Sequence, residues 1–204
     1  MTTQKPVVLV IAGHDPVGGA GMQADIEAIA ALGAHAATAV TALTVQDTRN
    51  VSSFRLTDGD LLRAQIDAIL GDLAPAAVKI GMIGSAANAR IIAAALRRLP
   101  GVPVVLDPVL VAGGGGTLAL DDLLRVLVGE LFPLATLVTP NGPEARALAG
   151  ADALPDCAQA LLHAGAAQVL ITGGHEPGEQ VVTRLYGTGG ELDCHVQPRL
   201  PGNY

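Results

Sequence analysis

Short β-branched runs alternate with helical stripes along nearly the whole chain. Val7–Gly13 is a continuous apolar run that stops at glycine, the pattern of a strand buried on both faces. Residues 21–33 set Met22, Ile26 and Ile29 on one helical face. Thr38–Val45 predicts a second strand and Val51–Leu56 a short third. Asp58 then caps a long helix whose apolar stripe is Leu62, Ile66, Ile69, Leu70 and Leu73. The cycle repeats with Ala77–Ile83 as strand, Ala86–Leu99 as helix and Val102–Val109 as strand. Leu124, Leu127, Val128 and Leu131 mark another helix, and Thr136–Thr139 another strand. Pro143–Ala149 and Asp156–Ala164 read as helices, and Gln168–Thr172 as a strand. Beyond them the rhythm changes: Val181–Tyr186 and Leu192–Gln197 flank the turn Gly187–Gly190 and predict a hairpin.

Strands that alternate with helices predict an α/β fold with a mainly parallel sheet, right-handed crossovers and helices on both faces. The hairpin adds antiparallel strands at one edge. Nothing in the chain reads as a linker, a repeat or a low-complexity tract, so residues 1–204 are expected to form one domain.

Composition narrows the function. Half of the residues are hydrophobic but only 2% are aromatic, which suits tight packing better than an aromatic recognition surface. The formal net charge is −7 with no block of like charge, so nucleic acid is not an expected partner, because neutralising phosphates takes clustered Lys and Arg. No apolar run is long enough to span a membrane, and Val7–Ile11 is too short for a secretory leader. A cytoplasmic setting is therefore expected. Cys157 and Cys194 have no metal-ligand spacing and read as ordinary thiols.

In an open α/β sheet, ligands bind beyond the C-terminal ends of the strands. Four clusters fall there. Gly13-His14-Asp15-Pro16-Val17-Gly18-Gly19-Ala20-Gly21 either brings backbone amides to a ligand or simply turns the chain into a helix. It lacks the Gly-Lys-Ser/Thr of a Walker loop. Asp107-Pro108-Val109 puts a carboxylate at a strand end, suited to a metal or a phosphate-bound water, though Asp-Pro is also turn chemistry. The glycines from Gly113 to Gly116 either cover a substrate or connect elements loosely. Thr139-Pro140-Asn141-Gly142-Pro143-Glu144 ends a strand and sets Glu144 in a first helical turn, where the dipole favours a carboxylate. Thr172-Gly173-Gly174-His175 ends another strand. All four are expected on one rim.

These residues resemble a known family. Ala12-Gly13-His14-Asp15-Pro16, Gly18-Gly19-Ala20-Gly21 and Gln23-Ala24-Asp25 are similar to the opening of the hydroxymethylpyrimidine/phosphomethylpyrimidine kinases of thiamine biosynthesis. Thr41-Ala42-Leu43, Gln46-Asp47-Thr48-Arg49, Lys79-Ile80-Gly81-Met82, Asp107-Pro108-Val109, Thr139-Pro140-Asn141, Pro143-Glu144 and Gly173-Gly174-His175 continue it in order. The resemblance implies a ribokinase-like three-layer sandwich. It also implies phosphorylation of 4-amino-5-hydroxymethyl-2-methylpyrimidine and then of its monophosphate, with ATP and Mg2+. By the same resemblance Gly13, Asp25, Gln46, Met82 and Val109 bind the pyrimidine, Asn141, Glu144 and Thr172 lie on the nucleotide side, and Asp107 and Glu144 serve the metal. Gln46 has both donor and acceptor for an aminopyrimidine edge, while Asp25 can accept from an exocyclic amine.

Two departures stand out. Thr172 occupies a position where the family commonly has lysine. The family's His-Gly-Ser/Thr-Gly-Cys-Thr stretch, which supplies an anion hole and a cysteine near the reacting hydroxyl, is expected after Pro201-Gly202-Asn203-Tyr204 and is not among these 204 residues. No catalytic residue is therefore assigned, and weak or absent turnover is expected of the chain as given. A pyridoxal-type vitamin kinase and a non-catalytic pyrimidine-binding remnant are the alternatives. Gln46, Met82 and Gln23-Ala24-Asp25 favour the pyrimidine. A homodimer is expected from the fold relatives.

Overall fold

A computed structural model of the chain describes residues 5–112, 116–117 and 122–200. Residues 113–115 of the glycine run and residues 201–204 lie outside the described part. The first strand, β1 (Val7–His14), leads through the Gly-rich loop to α1 (Gly21–Ala31). β2 (His35–Gln46) and β3 (Val51–Leu56) form a hairpin, followed by α2 (Gly59–Asp72). Next come β4 (Ala77–Ile80), α3 (Ala86–Leu96) and β5 (Val104–Leu106). A two-strand ribbon, β6 (Val111–Ala112) with β7 (Gly116–Thr117), stands apart from the main sheet. Then follow α4 (Leu123–Val126), β8 (Leu137–Val138), α5 (Gly142–Ala149), α6 (Leu154–His163), β9 (Val169–Ile171), β10 (Gln180–Gly187) and β11 (Gly190–Pro198).

The main sheet has the order β11-β10-β9-β8-β5-β4-β1-β2-β3. Pairing is parallel from β2 across to β9 and antiparallel at both edges. The strand order reverses beside β1, which lies between β2 and β4, and this is where an open α/β sheet leaves a crevice. Residues of β1 alternate between two apolar layers. Leu9 and Ile11 pack with Leu62, Ile66 and Ile92 of α2 and α3, whereas Val10 and Ala12 pack with Met22 of α1. Both faces are covered, which is why this strand reads as an unbroken apolar run.

Several boundaries differ from the periodicity. The runs Ala77–Ile83 and Val102–Val109 contain strands of only four and three residues. The segments 81–83 and 107–109 leave the ladder to form the mouth of the crevice, after Gly81 N–H donates to Ile11 O at 3.0 Å and Asp107 N–H to Ile80 O at 2.8 Å. The helix expected around Leu124–Leu131 is regular only over α4. It widens into π-type turns over Leu127–Leu131 and tightens to a 3-10 turn where Pro133 falls. Ile26 does not share the buried face of α1 and is 40% exposed. Asp58 caps α2 as expected, accepting from Asp60 N at 2.9 Å and Leu61 N at 3.3 Å. Among the described residues no helix is long and apolar enough to cross a membrane.

Candidate active site

A cleft of about 1110 Å³ opens across the C-terminal ends of the parallel strands. Its floor begins at the Gly-rich loop. Asp15, only 4% exposed, organises that loop from within: Oδ1 accepts from Val17 N–H at 2.9 Å and Oδ2 from Ala20 N–H at 2.8 Å. The Asp15 N–H is bonded in turn to the Gln23 side chain at 3.1 Å. Gly21 enters α1 at φ 59°, and a Cβ there would stand 2.5 Å from the Gly13 carbonyl, so no other residue fits without strain. The motif thus folds as a self-bonded turn in which each oxygen of the Asp15 carboxylate accepts one backbone N–H. Asp15 was not singled out from the sequence, although Asp-Pro ahead of Gly-Gly is the signal for such a side-chain-closed turn.

Gly13 touches the next wall. A side chain there would meet the Met82 sulfur at 3.1 Å, so the bare backbone lets Met82 lie across the floor. Met82 is itself fixed from behind: its carbonyl accepts from the Thr41 hydroxyl, and the buried Asn88 amide donates to Thr41 O at 3.4 Å and Ile83 O at 3.3 Å. Gln46 ends β2 on the same side, and Val109 follows β5. Gly13, Gln46, Met82, Val109, Asp107, Asn141, Glu144 and Thr172 all line the cleft. Asp25 does not. Its carboxylate accepts from Lys79 Nζ at 2.9 Å, and Lys79, rather than Asp25, forms part of the wall.

The far side is built on α5. Asn141 and Glu144 form a reciprocal capping box: Asn141 Oδ1 accepts from Glu144 N–H at 2.9 Å and Glu144 Oε2 from Asn141 N–H at 2.9 Å. Glu144 Oε1 also accepts from Leu110 N–H at 3.4 Å, tying α5 to the segment after Asp107. Burial raises the proton affinity of both carboxyls, with Lys79 opposing this at Asp107 and the charge of Asp107 adding to it at Glu144. Two partly desolvated carboxylates that repel each other suit a hard cation that keeps most of its waters. Among the described residues no cluster of three or more metal-binding side chains occurs.

The loop after β9 closes this end. Arg146 donates to both oxygens of Glu176, at 2.9 and 2.8 Å, and holds that carboxyl below the usual range. Arg199 donates to the carbonyls of Gly174, Glu176 and Gly178. Thr172 and His175 are therefore presented on a loop bonded at two points to the rest of the fold.

Residues 15–204 match the family described as phosphomethylpyrimidine kinase. The chain belongs to the phosphomethylpyrimidine kinase family. Within that family it is 42% identical over 186 residues to a hydroxymethylpyrimidine/phosphomethylpyrimidine kinase of Rhizobium meliloti, covering 88% of this chain and 70% of the relative. It is 44% identical to one from Mycobacterium bovis, covering 83% of this chain and 64% of that relative. The solved phosphomethylpyrimidine kinase of Clostridium difficile superposes with a TM-score of 0.83 at 33% identity, over 95% of this chain and 84% of its own. A pyridoxal kinase of Staphylococcus aureus in complex with AMP-PCP superposes at 0.87 with 27% identity, over 98% of this chain and 75% of its own. The chain therefore shares its ribokinase-like architecture with both phosphomethylpyrimidine kinases and pyridoxal kinases.

Proposed function

We propose that this cleft transfers the γ-phosphoryl group of ATP to the hydroxymethyl group of 4-amino-5-hydroxymethyl-2-methylpyrimidine, and then to the monophosphate so formed. The observation that carries the reading is the order of the strand ends along the cleft. Gln46 on β2, Gly13 near the C-terminal end of β1 and Met82 after β4 lie to one side of Asp107, which follows β5. Asn141 after β8 and Thr172 after β9 lie to the other. A flat ring between Met82 and Val109 would thus face a nucleotide across Asp107. That arrangement supports in-line transfer, in which the hydroxyl oxygen bonds to the γ-phosphorus as the bond to ADP breaks.

Gln46 supplies a donor and an acceptor for the ring edge, and Met82 and Val109 supply apolar contact. Asp107 and Glu144 are the residues that would hold Mg2+, and that ion, when bound, offsets the charge of the phosphates. Thr172 contributes a hydroxyl on the nucleotide side. A homodimer and a cytoplasmic setting belong to the same proposal. The exposed apolar side chains Leu43 and Val45 on β2, 56% and 61% exposed, support self-association.

The deciding experiment is an ATP-dependent phosphorylation assay on the purified natural protein, with its intact mass and the product mass recorded, comparing the aminopyrimidine alcohol with pyridoxal. Turnover favouring the pyrimidine by about tenfold or more in kcat/KM supports the proposal. Preference for pyridoxal would instead support the second reading, which the likeness to the Staphylococcus aureus enzyme favours. Pyrimidine binding with no ATP consumption would support a binding domain.

A further inference from the structure

Lys79 is a cation inside an apolar strand, between the buried Val78 and Ile80. Lys79 lines the cleft, and its ammonium donates to Asp25 Oδ2 at 2.9 Å; the two side chains are 24% and 16% exposed. An unpaired lysine on such a wall would turn its head group to bulk water. Here α1 supplies the counter-charge from behind, and β4 leaves room in front. A Cβ on Gly81 would stand 3.0 Å from Lys79 Nζ and 3.2 Å from the Ala12 Cβ, so glycine at 81 keeps the space the ammonium uses. Three elements converge to hold one ammonium beside the pyrimidine end of the cleft. Of its three N–H donors one goes to Asp25, and among the described residues no other protein partner is found.

The chemistry of the ligand completes the argument. The ring nitrogens of an aminopyrimidine are acceptors. A carboxylate aimed at them repels, whereas an ammonium donates. We propose that Lys79 is the hydrogen-bond donor to a ring nitrogen of the pyrimidine, and that Asp25 acts through it as a positioning residue. The inference rests on the pyrimidine reading of the cleft and goes beyond it by reversing which member of the pair meets the ligand. It also makes the pair a specificity device, selecting rings with an unprotonated nitrogen.

The test is calorimetric binding of 4-amino-5-hydroxymethyl-2-methylpyrimidine without ATP, to wild type, Lys79→Met, Asp25→Asn and the double variant. A charged hydrogen bond predicts that Lys79→Met weakens binding about tenfold or more. Asp25→Asn weakens it less, and the double variant binds like Lys79→Met alone, because Asp25 has nothing left to position. Wild type prefers the pyrimidine to the benzene analogue in which both ring nitrogens are CH, and Lys79→Met reduces that preference about tenfold, keeping only the part that Gln46 supplies, while melting as a folded protein. Lys79→Met binding as tightly as wild type overturns the inference. So does an Asp25→Asn penalty of the same factor in both backgrounds, which would mean direct contact by Asp25. No binding by wild type overturns the pyrimidine reading itself, and with it this inference.

Discussion

Asp107 carries a charge that the fold disfavours. Burial raises its carboxyl above the ordinary value of 3.8, Lys79 opposes that effect, and Asp25 adds to it. The folded chain holds this proton more tightly than the unfolded chain does. The carboxyl therefore contributes stability that is fully present below pH 3.8 and is lost as pH rises through the raised folded value. Asp107→Asn is expected to melt about 2–4 °C higher at pH 7 without divalent cation, the shift that about 1 kcal/mol produces in a chain of this length. The gain vanishes in scans taken below the ordinary carboxylate range, and phosphorylation falls about a hundredfold or more. A variant that melts lower at pH 7 would mean that Asp107 is satisfied in the fold and not reserved for a ligand. At this scale the motifs were legible: every site residue they nominated except Asp25 lines one cleft. The Asp25–Lys79 pair was not, because its members stand 54 positions apart. A lysine within the run Ala77–Ile80 was the available sign, since a cation in a covered strand needs a partner.

Helix caps separate structural from functional polar residues. Asp58 caps α2 through one carboxylate oxygen, away from the cleft. Asn141 caps α5 and also lines the cleft. Each →Ala change is expected to cost about 1 kcal/mol in urea unfolding. Only Asn141→Ala is expected also to raise the KM for ATP, by about threefold or more, since of the two caps it alone lines the cleft. An equal kinetic effect from Asp58→Ala would assign the change to lost stability. The caps were readable locally, Asp58 by type and Asn141 with Glu144 by their three-residue spacing, although Glu144 drew notice for its place in the first turn rather than for the reciprocal bond. The lengths of β4 and β5 were not readable. The apolar runs continue past the last ladder residue, and periodicity does not distinguish a strand from the buried wall that follows it.

The whole sheet is stable at its centre and open at its edges. β1 is bonded on both sides and its residues Leu9 to Ala12 are at most 1% exposed, whereas β11 pairs only with β10 and has Leu192 54% exposed. Native-state hydrogen exchange is expected to leave the amides of β1 and β4 slowest, close to global unfolding, and those of β11 fastest among the strands. Protection of β11 equal to that of β1 would mean that a partner covers the edge in solution. The sequence alone determined the alternation of strands and helices, the terminal hairpin, most helix starts and the polar clusters at strand ends, because each depends on residues within a few positions of one another. The strand order, the second antiparallel edge and the π-type widening after α4 were decided only by tertiary structure, through pairing and packing between distant segments. The same holds for the choice between Asp25 and Lys79 at the cleft wall. Which of two bonded residues lines the cleft depends on the direction from which each element approaches, and that direction exists only once the sheet is assembled.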